Sequence, residues 1–131
     1  MRTSKSEKGD FMLVSRRFHF DAAHNLIRYH GKCERLHGHR YHLEVTVKGK
    51  RDAEGMVMDF TVLKNEVKSH VLDMLDHSYI NEIIEQPTAE NIAVWIWERL
   101  NPALSSETVS LHEIKVFETN SSYVSYHGED A

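Results

Sequence analysis

Two histidines, His37 and His39, stand two residues apart in the segment CERLHGH (residues 33–39). On a β-strand, side chains two positions apart point to the same face of the sheet. This H-x-H pair can therefore direct two imidazoles at one point, and Gly38 leaves room between them. Imidazole suits zinc, and a catalytic zinc ion takes three protein ligands and keeps one position open. The segment therefore predicts two ligands of such a site, although an isolated H-x-H pair also occurs by chance.

The third ligand is expected from His24, which closes the segment FDAAH at the end of the first predicted strand. If the first two strands pair as a hairpin, His24 lies beside His37 and His39. We therefore expect these three histidines to hold one metal ion. A non-catalytic, zinc-stabilised binding module is disfavoured, because three histidines leave the coordination of the metal open.

Cys33 is the only cysteine of the chain and lies four residues before His37. Three roles are open to it: a fourth metal ligand, a small buried residue, or a base or nucleophile. A nearby cation lowers the pKa of a thiol and favours the thiolate. A proton-transfer role for Cys33 is therefore chemically reasonable beside a metal ion.

Further candidate residues lie in two later segments. Asp76 and His77 follow the first predicted helix in LDHSYIN. A carboxylate and an imidazole can form a proton relay, although a histidine at a helix end also simply complements the helix dipole. Glu118 ends a predicted strand in VFET, where a lone glutamate is usually solvated.

Hydrophobic periodicity predicts the elements that must position these residues. Alternation predicts strands, whereas apolar spacings of three and four predict amphipathic helices. Asp59 and Thr88 are the expected N-caps of two helices, and Asn101-Pro102 marks the expected end of the second. The predicted strands are residues 11–20, 40–48, 109–118 and 123–126; the expected buried stripe of the first helix is Phe60, Leu63, Val67, Val71 and Leu75.

The order strand, strand, helix, helix, strand, strand predicts an α+β fold. Both outer pairs are hairpin-like, which favours one four-stranded antiparallel sheet (ββααββ) with the two helices on one face. In the second strand, Tyr41, Leu43, Val45 and Val47 share the expected core face. We expect a single domain over residues 11–131, preceded by a disordered tail over residues 1–10.

Composition excludes several classes of partner and location. The chain has 131 residues and a formal net charge of −4, without a basic stripe, which argues against nucleic-acid binding. One cysteine cannot form an internal disulfide. The polar start MRTSKSEKGD lacks the apolar region of a secretory signal, and no apolar run approaches the roughly 18 residues of a membrane span. We therefore expect a cytoplasmic protein without a membrane segment.

A cupin-like metal-binding protein is the alternative of a different class. Gly31, His37, His39 and Glu44 match the spacing of the first cupin motif. On a regular strand, however, Glu44 has the opposite parity to the histidines and faces away from them. A jelly roll also needs about eight strands, whereas two helices occupy the middle of this chain.

Six motifs in order resemble the 6-pyruvoyl-tetrahydropterin synthase family over nearly the whole chain. They are FDAAH, CERLHGH, MVMDF, LDHSYIN, PTAENIAVWIW and VFET. The three residues between Cys33 and His37 resemble the 6-carboxy-tetrahydropterin synthase branch, since the pyruvoyl-forming branch has a longer insertion there. The adjacent Glu34 resembles a hybrid subgroup, because a related folate-type branch has glutamate at that position in place of the cysteine.

The resemblance implies the tunnelling fold, in which subunit sheets join into a barrel and two trimers stack as a homohexamer. It implies a lyase that converts 7,8-dihydroneopterin triphosphate to 6-carboxy-5,6,7,8-tetrahydropterin, acetaldehyde and triphosphate in queuosine and 7-deazapurine biosynthesis. The alternative within the family is cleavage of the dihydroneopterin side chain to 6-hydroxymethyl-dihydropterin for folate.

The resemblance also implies a role for each candidate residue. The ligands of a Zn²⁺ cofactor are His24, His37 and His39, and Cys33 is the base. His77, oriented by Asp76, shuttles protons, in the family arrangement from a neighbouring subunit. Glu118 anchors the pterin ring and is a further member of the relay, and Thr88 contributes a second pterin contact.

Overall fold

A long antiparallel hairpin forms the centre of the fold. The computed structural model describes residues 10–31 and 34–129. Strand β1 (Met12–His24) pairs with β2 (His37–Gly49) along its whole length, from Met12 opposite Gly49 to His24 opposite His37. Both strands are longer than predicted. The predicted strands ended where small and polar side chains interrupt the apolar alternation. Backbone pairing does not depend on that alternation and continues past these points.

Three further strands complete the sheet. They are β3 (Ser78–Tyr79), β4 (Val109–Phe117) and β5 (Tyr123–Tyr126), in the order β3-β1-β2-β4-β5. The four long strands are antiparallel neighbours, which confirms the predicted sheet. The two-residue β3 was not predicted. It pairs in parallel with β1 at Ala22 and Ala23 and brings the LDHSYIN segment to that edge.

Alternation along β2 places one face of the sheet in the core. Tyr41, Leu43, Val45 and Val47 are fully buried, as predicted. In β4 the parity of the buried residues changes, because the pairing with β2 shifts between Thr46 and Val47 and leaves one extra residue in β4. This irregularity allows two sets of β4 side chains to face the core, namely Val109 and Leu111 before it and Ile114 and Val116 after it.

The first helix, α1, covers residues 60–75 in three parts. An α-helix (Phe60–Val67) leads into a π-helical segment (Lys68–Leu72) and a last α-helical turn (Asp73–Leu75). Asp59 caps it, accepting a hydrogen bond from the backbone N–H of Thr61. Four predicted stripe residues, Leu63, Val67, Val71 and Leu75, are fully buried at successive spacings of four. An α-helix turns every 3.6 residues, so the wider π turn helps to keep this series on one face.

Phe60 is the exception in the predicted stripe, because it lies at the exposed start of the helix and is itself 55% exposed. It lies beside β1, where its carbonyl accepts a hydrogen bond from the Arg16 guanidinium. The periodicity predicted on which face of the helix Phe60 lies, but it could not predict where along that face the buried core begins.

The second helix, α2 (Ala89–Leu104), begins where predicted and ends later. Thr88 caps it by accepting from the backbone N–H of Asn91. The predicted end at Asn101-Pro102 is wrong, because Pro102 lies inside the last turn. Leu104 is only 2% exposed, and the backbone N–H of Ser105 bonds to the carbonyl of Asn101. Burial of Leu104 and this hydrogen bond stabilise a last turn that a proline weakens.

The helices of the described residues include none long and apolar enough to cross a membrane. Of the predicted N-terminal tail, residues 1–9 lie outside the described part of the chain, as does Cys33.

Candidate metal centre

The three predicted ligands meet at the end of the central hairpin. His24 is the last residue of β1 and pairs directly with His37, the first residue of β2. The ring centroid of His24 lies 4.7 Å from that of His37 and 5.1 Å from that of His39, and those of His37 and His39 are 5.9 Å apart. The strand register therefore brings together the three side chains that the sequence selected.

One ring nitrogen of His37 and one of His24 have a hydrogen-bond partner, whereas Nε2 of His39 has none among the described residues. The Nδ1 of His37 lies 3.0 Å from the carbonyl of Arg35, which can only accept, so Nδ1 carries the proton and Nε2 keeps its lone pair. The Nδ1 of His24 lies 2.9 Å from the Tyr41 hydroxyl. The Nε2 of His39 is buried and has no partner among the described residues. A buried nitrogen without a partner is costly, and coordination to zinc would satisfy it.

The electrostatic environment favours the neutral imidazole at His24 and at His39. Burial, followed by the proximity of His37 and His39, lowers the pKa of His24 to about 4. Burial also lowers the pKa of His39, against the opposing effect of the Glu118 carboxylate. Neutral imidazole is the form that binds metal ions. His24 and His39 are therefore favoured in the form that binds a metal ion, and the arrangement of the three imidazoles fits zinc.

Two carboxylates lie close to different pairs of the histidines. A carboxylate oxygen of Glu118 and ligand nitrogens of His24 and His39 lie within 4.8 Å of one another. A carboxylate oxygen of Glu34 forms a similar group with His24 and His37. Glu118 was selected from the sequence as a pterin anchor, and its approach to the cluster was not predicted. Glu34 was singled out because it adjoins Cys33 and because a related branch of the family has glutamate at this position.

The loop that follows β1 is held by side-chain amides that the sequence analysis missed. The Asn81 amide accepts from the backbone N–H of Asn25 (3.0 Å) and donates to its carbonyl (2.7 Å). The Gln86 amide accepts from the N–H groups of Ile27 and Arg28 and donates to the carbonyl of Arg28. We call Asn81 and Gln86 the amide clamp. Their one sequence signal was an amide within each polar segment, LDHSYIN and EQPT.

Glu34 joins the far end of the same loop to Leu26, two residues after the end of β1. Its backbone N–H donates to the carbonyl of Leu26 (2.7 Å), and its carboxylate accepts from the N–H of Leu26 (2.9 Å). Glu34 and the amide clamp thus position the loop on both sides of Cys33. Cys33 itself lies outside the described residues.

Thr88 and Glu118 line one cavity of about 280 Å³ beside the histidines, together with Leu26 and Tyr123. Glu118 follows β4, and Thr88 caps α2, so the cavity lies between a sheet end and a helix start. The Thr88 oxygen accepts from Asn91 but its hydroxyl proton is free to donate. A planar ligand with several N–H groups would find apolar walls and a carboxylate here.

Asp76 and His77 lie on the other side of the hairpin end. Asp76 accepts from the backbone N–H of Asp21 (2.9 Å), and the N–H of His77 bonds to the carbonyl of Asp21. The Oδ2 atom of Asp76 lies 3.7 Å from the Nε2 atom of His77, and the His77 side chain is 79% exposed. His77 and His39 line the same shallow depression. Asp76 therefore docks the segment on β1, and His77 projects outward with a positive φ of 63°.

The structure excludes the cupin alternative. Glu44 faces the opposite side of β2 from the histidines and forms a 2.8 Å ion pair with Arg17. The described chain forms one open sheet covered by helices, and no bulge in β2 turns Glu44 towards the cluster.

Comparisons with known proteins match this chain to one protein family over most of its length. A model of the family described as 6-pyruvoyl tetrahydropterin synthase matches residues 13–129. A 6-carboxy-5,6,7,8-tetrahydropterin synthase of Synechocystis is 40% identical over 121 residues, covering 87% of this chain and 92% of the relative. A 6-pyruvoyl tetrahydrobiopterin synthase of Homo sapiens is 36% identical over 136 residues, covering 88% of this chain and 91% of the relative.

A solved structure shows the same fold. The 6-pyruvoyl tetrahydropterin synthase of Caenorhabditis elegans superposes with a TM-score of 0.78 at 28% identity, covering 92% of this chain and 97% of that one. The family match, the two relatives and this superposition all agree with the motifs and with the histidine cluster. The chain therefore belongs to the 6-pyruvoyl tetrahydropterin synthase family.

Proposed function

We propose that this chain is a zinc-dependent lyase that converts 7,8-dihydroneopterin triphosphate to 6-carboxy-5,6,7,8-tetrahydropterin, acetaldehyde and triphosphate. The observation that carries the proposal is the cluster of His24, His37 and His39 beside a cavity lined by Thr88 and Glu118. The Synechocystis relative named 6-carboxy-5,6,7,8-tetrahydropterin synthase supports the choice of product. The product suits queuosine and 7-deazapurine synthesis in the cytoplasm.

The metal would be held by the three histidines, through the Nε2 atoms of His37 and His39 and the nitrogen of His24 that does not face Tyr41. When bound, zinc supplies Lewis acidity, which acidifies neighbouring C–H and O–H bonds of a coordinated substrate side chain. The open coordination of three protein ligands is the arrangement of a catalytic site.

The pterin ring would bind in the neighbouring cavity lined by Thr88 and Glu118. The Glu118 carboxylate can accept two parallel N–H bonds from the ring, which gives both affinity and orientation. The Thr88 hydroxyl would add one further contact. Since Glu118 also approaches His24 and His39, an anchored ring would place its side chain beside the metal ligands.

Proton transfer is assigned to Cys33 and to the Asp76–His77 pair. Cys33, as thiolate, would remove a proton from the substrate side chain. The exposed His77 would move protons in the site of a neighbouring subunit of a homohexamer built as a dimer of trimers. Its exposure and outward direction support a role outside its own chain.

The test combines metal analysis with product identification. The purified protein is analysed for zinc and then incubated with 7,8-dihydroneopterin triphosphate. We expect about one zinc per chain, 6-carboxy-tetrahydropterin and acetaldehyde in equal amounts. A pyruvoyl product, or full activity after complete removal of zinc, would contradict the proposal.

Glu34 favours a second candidate activity, the cleavage of dihydroneopterin to 6-hydroxymethyl-dihydropterin. Its carboxylate lies with His24 and His37, where it could take a hydroxyl proton from a substrate side chain and start a retro-aldol step. Glu34→Gln keeps an oxygen that accepts from Leu26 but removes the base. We expect this variant to lose hydroxymethyl product and to keep carboxy product. Absence of hydroxymethyl product in the unmodified protein would exclude the second activity.

A further inference from the structure

The side chain that follows the H-x-H pair on the same face of β2 is Tyr41. Its hydroxyl lies 2.9 Å from the Nδ1 of His24, and its ring meets the ring of His39 edge to face, with centroids 4.3 Å apart. Tyr41 thus contacts two of the three proposed zinc ligands. Neither the resemblance nor the comparisons assign it a role.

We propose that Tyr41 is a positioning residue that fixes His24 for metal binding by accepting a hydrogen bond from its Nδ1–H. This inference rests on the zinc site of the proposed function. A metal bound at Nε2 of His24 requires the proton to be on Nδ1, and the Tyr41 oxygen is placed to accept it. Partners that orient a metal-binding histidine in this way commonly strengthen metal binding.

The packing around Tyr41 makes this acceptor rigid. The Tyr41 ring stacks on Phe20, its partner in the β1–β2 register, with centroids 5.0 Å apart and an interplanar angle of 15°. Tyr41 is 0% exposed and His24 is 2% exposed. Water therefore has little access to replace the hydroxyl if it is removed.

His37 also has a hydrogen-bond acceptor at its Nδ1 atom, but this acceptor is a backbone carbonyl. The carbonyl of Arg35 accepts from Nδ1 of His37, which leaves Nε2 for the metal. His24 and His37 therefore present the same ring nitrogen, one fixed by the backbone and one by Tyr41. A backbone carbonyl cannot be removed by substitution, so Tyr41 is the partner through which the idea can be tested.

The experiment measures zinc affinity by competition with a chromophoric chelator. Tyr41→Phe keeps the ring and its stacking on Phe20 and removes only the hydroxyl. We expect the zinc dissociation constant to rise roughly 10–100-fold, as for other partners of metal-binding histidines. Tyr126→Phe is the matched control, because Tyr126 packs on Trp97 with ring centroids 5.5 Å apart; its zinc affinity should not change. Unchanged affinity in Tyr41→Phe would overturn the proposal.

A second measurement needs no folded variant. In the zinc-loaded, unmodified protein, nitrogen-resolved NMR should show a slowly exchanging, hydrogen-bonded proton on Nδ1 of His24. A rapidly exchanging or absent signal there would also overturn the proposal. If the unmodified protein binds zinc and forms product while Tyr41→Phe binds zinc equally well, only the role of Tyr41 fails. If the unmodified protein binds no zinc, the proposed function fails first.

Discussion

At the scale of single residues, the unpartnered nitrogen of His39 is the observation that most favours the proposed metal site. The Nε2 of His39 is buried without a hydrogen bond among the described residues, and His24 and His37 have their other ring nitrogens engaged. If the histidines had a purely structural role, their buried ring nitrogens would be expected to form hydrogen bonds with other protein groups. The arrangement instead leaves a ligand nitrogen of His24 within 4.8 Å of one of His39, and likewise within 4.8 Å of one of His37.

Loss of one ligand should therefore remove the metal. We expect His37→Ala to lose zinc, because two histidines rarely retain it against a chelator. Elemental analysis after dialysis measures the zinc content. His70→Ala is a control, because His70 pairs with Glu66 on α1, away from the cluster. Full zinc content in His37→Ala would remove the site as we describe it.

Cys33 should act as a base and not as a ligand. We expect Cys33→Ala to keep zinc and to lose turnover by roughly 10²–10⁴-fold, the usual contribution of a general base. Zinc analysis and the rate of carboxy product formation are measured on the same preparation. Loss of zinc together with the thiol would show that Cys33 is a ligand.

At the scale of elements, the β1–β2 hairpin and the amide clamp position different parts of the candidate site. The β1–β2 register places the histidines, whereas Asn81 and Gln86 hold the backbone that leads from His24 towards Cys33. Side-chain amides can pair with backbone N–H and C=O groups much as a neighbouring strand would. The clamp thus extends the ordered edge of β1 past its last residue.

Removal of one arm of the clamp should loosen this loop. We expect Gln86→Ala to increase the rate of tryptic cleavage after Arg28, because three hydrogen bonds to residues 27 and 28 are lost. Mass spectrometry of the fragments measures the cleavage. Gln86→Glu keeps the acceptor and loses the donor, so its rate should be intermediate. Equal cleavage in all three proteins would show that the loop is held by other contacts.

The two helix caps allow stability to be separated from substrate binding. Replacing an N-cap by alanine costs roughly 1 kcal/mol in the free energy of unfolding. We expect this loss for both Asp59→Ala and Thr88→Ala, measured by urea denaturation, but a raised KM for pterin only in Thr88→Ala. Thr88→Ser keeps a capping hydroxyl and should behave as the unmodified protein. A raised KM in Asp59→Ala as well would assign the effect to stability alone.

At the scale of the whole molecule, the sheet has two edges that favour association. β3 covers β1 only at Ala22 and Ala23, and β5 is the last strand on the other side. Unpaired strand edges invite pairing with another chain. Exposed apolar side chains lie near the open part of β1, including Leu13 (55% exposed) and Phe60 (55% exposed). Both features are consistent with the proposed homohexamer.

The assembly makes a quantitative prediction. Light scattering should give about six times the monomer mass of 15.3 kDa, because edge strands of each subunit would pair with those of its neighbours. A mass near that of the monomer at micromolar concentration would contradict the hexamer.

A mixing experiment tests whether His77 acts between subunits. Cys33→Ala and His77→Ala should each be nearly inactive alone. Co-expressed in one assembly, they should recover part of the activity, because some sites would combine an intact Cys33 with an intact His77 from a neighbour. A mixture that stays as inactive as the two parents would place His77 in the site of its own chain.

Much of the site followed from local patterns in the sequence. The parity of His37 and His39 on a strand, the position of His24 at a strand end and the cap residues Asp59 and Thr88 all depend on periodicity or on hydrogen bonds within a few residues. Such features are determined by the backbone geometry of a single element or a hairpin. The histidine cluster was therefore predictable from the amino-acid sequence.

Other features were decided only by the tertiary structure, because they join residues distant in sequence. The approach of Glu118 to His39 and the clamp of Gln86 on Arg28 depend on how the sheet, the loop and α2 pack together. The last turn of α2 likewise passes Pro102 because Leu104 is buried. Packing between separate elements can outweigh a local conformational preference of the chain. Such packing cannot be predicted from local sequence patterns.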